Sequence, residues 1–121
     1  MPLTSRFGRR IRPSVQAELD AAVTCEAKGE ADQAFGHLER AHVLGQAATR
    51  EHIRVHWAML RWALRKGEAA EVAGQICRIA AATSKTWLWV PTGNTGGASV
   101  GAFRRMPVPP DLQRLIDAAR T

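Results

Sequence analysis

Apolar residues recur at every third or fourth position through most of the first 83 residues, and glycines interrupt this pattern at residues 29, 45 and 67. That spacing is the period of an α-helix with one buried face, and glycine is typical of the residue that follows a helix. The pattern predicts four helices, and a shorter amphipathic segment near the end of the chain predicts a fifth. We therefore expect an all-α fold, with helices over residues 14–28, 30–44, 49–66, 68–83 and 111–120.

The turns around the first and last of these glycines have similar sequences. Residues 29–34 read GEADQA and residues 67–72 read GEAAEV, 38 positions later. Both segments resemble the turn and second helix of a tetratricopeptide repeat, although the offset exceeds the usual repeat length of about 34 residues. We interpret the core as two antiparallel helical hairpins, similar to tetratricopeptide (TPR) hairpins but too few for a repeat array.

The flanking segments differ in composition from this core. Residues 1–13 contain four arginines, and residues 84–110 are rich in glycine and proline. A chain of 121 residues suits a single domain. We predict a basic N-terminal arm over residues 1–13, a four-helix core over 14–83, an irregular segment over 84–110 that wraps around the bundle, and the terminal helix over 111–120. The wrapping segment would bring Trp87 and Trp89 onto the core.

Composition narrows the classes of function. No apolar run is long enough to span a membrane or to follow the basic N-terminus as an export signal. Cys25 and Cys77 match no zinc or redox spacing, so we expect reduced thiols in a cytoplasmic protein. No catalytic signature is present, and we do not expect an enzyme, with metal-dependent catalysis kept as a third hypothesis. The net charge of +6 favours nucleic acid or acidic partners, or simply reflects an arginine-rich proteome.

Two of the four histidines lie one helical turn apart in the predicted third helix. His52 and His56 are four residues apart, so their side chains point in the same direction. Apolar residues surround that direction, whereas arginines occupy the opposite side of the helix. We therefore expect both imidazoles on the buried face, where they can bind one ion.

The other two histidines belong to the predicted second helix. His37 and His42 are five residues apart, about 140° around the helix axis, so they flank its apolar stripe. A short connection makes this helix an antiparallel neighbour of the third. In that arrangement His42 is level with His52, and His37 is level with His56. The spacing thus predicts a histidine cluster between the two helices.

A cluster of neutral imidazoles is typical of a site for zinc, copper, nickel or iron. We predict three histidine ligands rather than four, His52 and His56 with either His42 or His37, because the wide angle on the second helix opposes a shared ion. Glu18, level with His42 across the first hairpin, would complete the set, with Glu26 as another carboxylate. The predicted metal ligands are therefore His52, His56, His42, His37 and Glu18. Structural histidines held by hydrogen bonds are the main alternative, and haem is a weaker one, since the chain has no attachment motif.

An arginine stripe on the third helix suggests a second class of function. Arg54, Arg61 and Arg65 share one face with Arg50. This face predicts either a surface for an acidic protein partner or a solvated face whose arginine stems cover apolar neighbours. Nucleic acid is the weaker interpretation, because the stripe lacks interleaved aromatic residues for stacking. A TPR-like interaction module with structural histidines is therefore the alternative to a metal-binding protein.

Several segments resemble one known family in combination. They are HLERAHVLGQ at residues 37–46, HIRVHW at 52–57, PTGNTGG at 91–97 and MPVP at 106–109. Together they resemble a bacterial family classed as domain of unknown function 3703. The resemblance covers nearly the whole chain and implies a small bacterial protein with no assigned activity.

Overall fold

The structure is a computed structural model that describes residues 5–83 and 106–121, with residues 80–83 described by their backbone alone. Within these residues every regular element is a helix, which confirms the predicted all-α fold. The third helix has its predicted bounds. The predicted second, fourth and fifth helices differ from the observed helices by one residue at one or both ends. The helices are α1 (Arg6–Ala27), α2 (Ala31–Gly45), α3 (Thr49–Lys66), α4 (Ala69–Thr83) and α5 (Pro110–Arg120). The predictions for residues 84–105, including those for Trp87 and Trp89, lie outside the described residues.

Helix α1 begins earlier than the sequence predicted. Ser5 caps it by accepting a hydrogen bond on its Oγ from the amide of Gly8 at 2.9 Å, and Pro13 lies inside the helix. Proline in a helix interior usually costs about 3 kcal/mol because it removes a backbone donor and crowds the preceding turn. Here Ile11 and Val15 are both fully buried on either side of the proline, and their burial offsets that cost. The predicted start at residue 14 and the arm over residues 1–13 are therefore wrong for residues 6–13.

Glycines 29 and 67 end α1 and α3 in the same way. Gly29 has φ 77° and Gly67 has φ 79°, a left-handed conformation that favours glycine. In each turn the amide of the following residue bonds to a carbonyl five residues earlier: Glu30 to Cys25 at 2.9 Å and Glu68 to Ala63 at 3.0 Å. These turns reverse the chain, so that α1 packs on α2 and α3 packs on α4.

The core lies among α1, α2, α3 and α5. Helices α1 and α2 each contact both α3 and α5, whereas α4 packs within the described residues on α3 alone. The Trp62 indole of α3 donates to the Ala31 carbonyl at 2.9 Å and packs on Phe35, with ring centroids 4.5 Å apart. Arg40 of α2 pairs with Glu18 of α1 and Asp111 of α5. None of the helices described is long and apolar enough to cross a membrane.

The end of α2 lies close to the start of α3 at Gly45. A Cβ atom placed on Gly45 would lie 3.0 Å from the Cβ of Glu51 and 3.4 Å from a methyl group of Val15. The first of these distances is too short for an ordinary carbon contact. Gly45 lies three residues after His42 and Glu51 immediately precedes His52, so the same close approach brings these two histidines together.

This close approach predicts opposite effects for two glycine substitutions in α2. We expect Gly45→Ala to lower the free energy of unfolding by about 1–3 kcal/mol, because the added methyl group overpacks the contact with α3. Gly36→Ala is the matched control, since a Cβ there meets nothing within 4 Å. It should raise the free energy of unfolding by about 0.5–1 kcal/mol through helix propensity. Urea titrations followed by circular dichroism measure both values, and equal stabilisation by the two variants would contradict the predicted crowding.

Candidate metal centre

Three imidazole nitrogens converge at the interface between α2 and α3. The Nε2 atoms of His42 and His52 are 3.0 Å apart, those of His52 and His56 are 2.9 Å apart, and those of His42 and His56 are 3.1 Å apart. The three atoms therefore form a nearly equilateral triangle. Among the described residues, these three side chains are the one group of histidine, cysteine, aspartate or glutamate close enough to hold a metal ion.

Helix geometry and packing place all three rings in the core. His52 and His56 project from successive turns of α3, and His42 reaches them from α2. Their exposed fractions are 3% for His42, 2% for His52 and 1% for His56. The ring centroids are 4.6–4.8 Å apart and the ring planes are steeply inclined, so the rings meet at their nitrogen-bearing edges rather than stacking.

The hydrogen bond of His56 to α4 assigns the position of its proton. The Nδ1 of His56 lies 2.5 Å from the Oε1 of Gln75, and the Nε2 of Gln75 donates to the Oε2 of Glu71 at 2.7 Å. Because an amide oxygen only accepts, the Nδ1 of His56 carries the proton and its Nε2 presents a lone pair to the centre of the cluster. Gln75 is fully buried. The hydrogen bonds that link Glu71, Gln75 and His56 therefore orient the imidazole ring as a metal ligand would require.

Burial keeps the imidazoles neutral. It lowers the pKa of His52 to about 3, with further lowering by the charges of His56 and Arg78. Burial also lowers the pKa of His56 to about 4; the hydrogen bond to Gln75 opposes this change, and the charge of Arg78 adds to it. At neutral pH both rings are therefore in the form that binds metals.

The size of the triangle fits a metal ion on one side of it. With sides close to 3.0 Å, the centre of the triangle lies about 1.7 Å from each nitrogen, shorter than a zinc–nitrogen bond of about 2.0–2.1 Å. An ion bonded to all three nitrogens would thus lie above their plane. Such an arrangement leaves at least one coordination position for another ligand.

His37 and Glu18 lie apart from this cluster and contact each other. The Nδ1 of His37 is 2.7 Å from the Oε2 of Glu18, whose other oxygen accepts a bond from Arg40 at 2.9 Å. The expected proximity of His37 to His56 is not observed, because the two histidines of α2 point in different directions and His42 alone faces α3. The imidazole of His37 is 35% exposed and belongs to an ion-pair network between α1 and α2. Glu26 is likewise engaged elsewhere, by Arg65 at 2.8 and 3.1 Å.

Sequence reasoning missed the contribution of α4. Glu71, Gln75 and Arg78 are spaced at i, i+4 and i+7, so they lie on one face of that helix. Gln75 contacts His56, and the charge of Arg78 acts on two of the histidines. The recurrence of polar residues at this helical spacing was the signal available in the sequence.

Two arginines of the stripe on α3, Arg54 and Arg65, are engaged within the chain. Arg54 donates to the buried Glu51 at 2.9 Å and to Gln16 at 2.5 Å, and Arg65 pairs with Glu26. Arg61 is exposed, and together with Arg54 and Arg65 it lines a groove of about 340 Å³ between α1 and α3. Because carboxylates of the chain already neutralise two of these cations, an acidic partner for this face stays a prediction.

Comparisons with known proteins give the family but no activity. A search of the curated proteins and a search of the solved structures both found no match. A family model described as "Protein of unknown function (DUF3703)" matches residues 9–116, a range that includes all three clustered histidines and Gln75. This match covers most of the chain and agrees with the resemblance of its motifs, so the chain belongs to the DUF3703 family of proteins of unknown function.

Proposed function

We propose that this protein binds a single transition metal ion through the Nε2 atoms of His42, His52 and His56, and that it acts in metal handling or sensing. The observation that carries the proposal is the triangle of three buried nitrogens 2.9–3.1 Å apart. Neutral imidazole nitrogens suit zinc, copper, nickel and iron, and the donor set alone does not choose among them.

Proton placement explains why three purely structural histidines are a poor alternative. Each Nε2 atom either carries a proton or presents a lone pair. With three such atoms mutually in contact, at least two must be of the same kind, so at least one of the three contacts joins two lone pairs or two protons. No arrangement of protons on neutral rings satisfies the whole triangle, and unsatisfied buried polar groups are costly. A cation bonded to all three lone pairs removes every unfavourable contact at once.

The same geometry argues against haem. The axial ligands of haem approach the iron from opposite faces of the macrocycle. The three Nε2 atoms lie within 3.1 Å of one another, so they would all approach an ion from the same side. This spacing leaves no room for a porphyrin between them.

Metal content of the purified protein tests the proposal. We expect about one metal ion per chain in untagged protein prepared without chelators, and loss of nearly all of it in His42→Gln, His52→Gln and His56→Gln, measured by elemental analysis. His37→Gln is the matched control, because it removes a histidine of the same helix that lies outside the triangle, and it should retain the metal. Circular dichroism verifies that each variant is folded. Equal metal content in all four variants, or none in the wild type after incubation with zinc, copper, nickel and iron salts, would refute the proposal.

Metal binding should also stabilise the fold, since all three ligands are in the core. A ligand present at a thousand times its dissociation constant raises the free energy of unfolding by about 4 kcal/mol. We expect a chelator to lower the melting temperature of the wild type and of His37→Gln, and to leave that of His52→Gln unchanged. Differential scanning calorimetry measures the difference, and a wild type indifferent to the chelator would contradict this expectation.

The role of Gln75 generates a further prediction. Gln75→Leu removes the acceptor that holds the proton of His56 on Nδ1, so we expect metal affinity to fall about 10- to 100-fold, as for other partners of metal-bound histidines. Gln113→Leu is the control, since the side chain of Gln113 donates to Asp117 on the exposed side of α5. Competition with a chromophoric chelator measures the affinities, and an unchanged affinity for Gln75→Leu would show that the glutamine is structural.

A further inference from the structure

The charge of a metal ion in this site would be uncompensated by the chain. All three proposed ligands are neutral imidazoles, and a divalent ion bound to them would keep its full charge in the protein interior. A buried charge is costly unless a charge of opposite sign lies beside it. The source of such a charge is therefore a question that the structure can address. The inference below rests on the proposed metal site.

No acidic side chain of this protein is available to bind the ion. Residues 1–4 and 84–105, which the structure does not describe, contain no aspartate, glutamate, cysteine or histidine. Every such side chain in the protein therefore belongs to the described residues, and among these only the three histidines form a group that could hold a metal. The remaining coordination position must be filled from outside the chain or by a neutral group.

Positive charge is already present next to the site. Arg78 lies three residues after Gln75 on the face of α4 that contacts His56, and it is half-buried. Residues three apart in a helix lie on the same side, so the contact of Gln75 with His56 places Arg78 near the cluster, where its charge lowers the pKa of both His52 and His56. The nearest carboxylate on that face is Glu71, which accepts a hydrogen bond from Gln75. Burial lowers the pKa of Arg78 and the charge of Glu71 opposes that change, so Glu71 offsets the arginine rather than the metal.

We infer that the metal ion in this site takes a small monovalent anion as an exchangeable fourth ligand, and that the guanidinium of Arg78 helps to hold that anion. Three neutral imidazoles leave one coordination position of the metal ion open and leave its positive charge uncompensated. Both features attract an anion. A guanidinium group binds planar oxyanions through two parallel hydrogen bonds. The preferred ligands are therefore planar oxyanions such as hydrogen carbonate or a small carboxylate, bound through one oxygen to the metal and through another to Arg78.

Cobalt substitution provides a direct test, because the visible spectrum of Co²⁺ reports its coordination. The full chain is loaded with Co²⁺ and titrated with formate and with azide. We expect saturable spectral changes with both anions. Arg78→Met should weaken formate binding at least about tenfold, the value of one hydrogen bond to a charged group, while retaining one Co²⁺ per chain. Arg114→Met, which removes an exposed arginine of α5, should match the wild type.

A second variant separates the charge of Arg78 from its shape. Arg78→Lys keeps the positive charge but loses the planar fork, so formate binding should weaken more than azide binding. If circular dichroism shows that Arg78→Met is unfolded, Arg78→Lys alone tests the role of Arg78 in anion binding.

The outcomes distinguish this inference from the proposal on which it rests. If Co²⁺ binds at one per chain and neither anion alters its spectrum at any concentration, the anion site is refuted while the metal site stands. If anions bind equally well to the wild type and to both Arg78 variants, the role of Arg78 is refuted. Failure of Co²⁺ and the other transition metals to bind at all would overturn the metal site and the anion site together.

Discussion

The packing of α2 against α3 is the contact on which the rest of this structure depends. It buries three imidazoles at the centre of a small helical core, next to Gly45, where any larger residue would crowd α3. Small domains rarely place so much polar surface in so limited a core, because each buried polar group must find a partner. Three buried imidazoles in contact therefore destabilise the fold unless their nitrogens find partners, and the proposed metal ion would supply one for all three.

The arrangement of the other helices follows from this interface. Helix α4 packs within the described residues on α3 alone, and its buried polar side chains lie where they support His56. Helices α1 and α5 both pack on α2, and their ion pairs with it engage Glu18, Arg40 and Asp111. The carboxylates of the chain are thus used around the core, while the centre itself contains none. In the proposed site a metal would therefore be held by nitrogen donors only and would keep its charge.

The two ways in which the sequence-based predictions differ from the structure have different physical origins. The start of α1 was misplaced because Ser14 after Pro13 has the local sequence of a helix N-cap, whereas the burial of Ile11 and Val15 on either side of the proline accompanies a helix that begins at Arg6. The predicted ligand set is larger than the histidine cluster of the structure, because residue spacing gives the height of a side chain along a helix but only a rough angle around it. Height alone made His37 a partner of His56, whereas the structure pairs it with Glu18.

Sequence alone determined the all-α class, the bounds of α3 and the pairing of His52 with His56, because the period of the helix and the conformational freedom of glycine are local properties. Tertiary structure alone decided which histidine of α2 completes the triangle and that Gln75 orients His56, since these depend on how helices rotate against one another. It also decided that Arg78 lies beside the cluster, because no local pattern relates α4 to the buried face of α3. The chemistry of the centre is therefore encoded in residue types along the chain, and its geometry is produced only by packing.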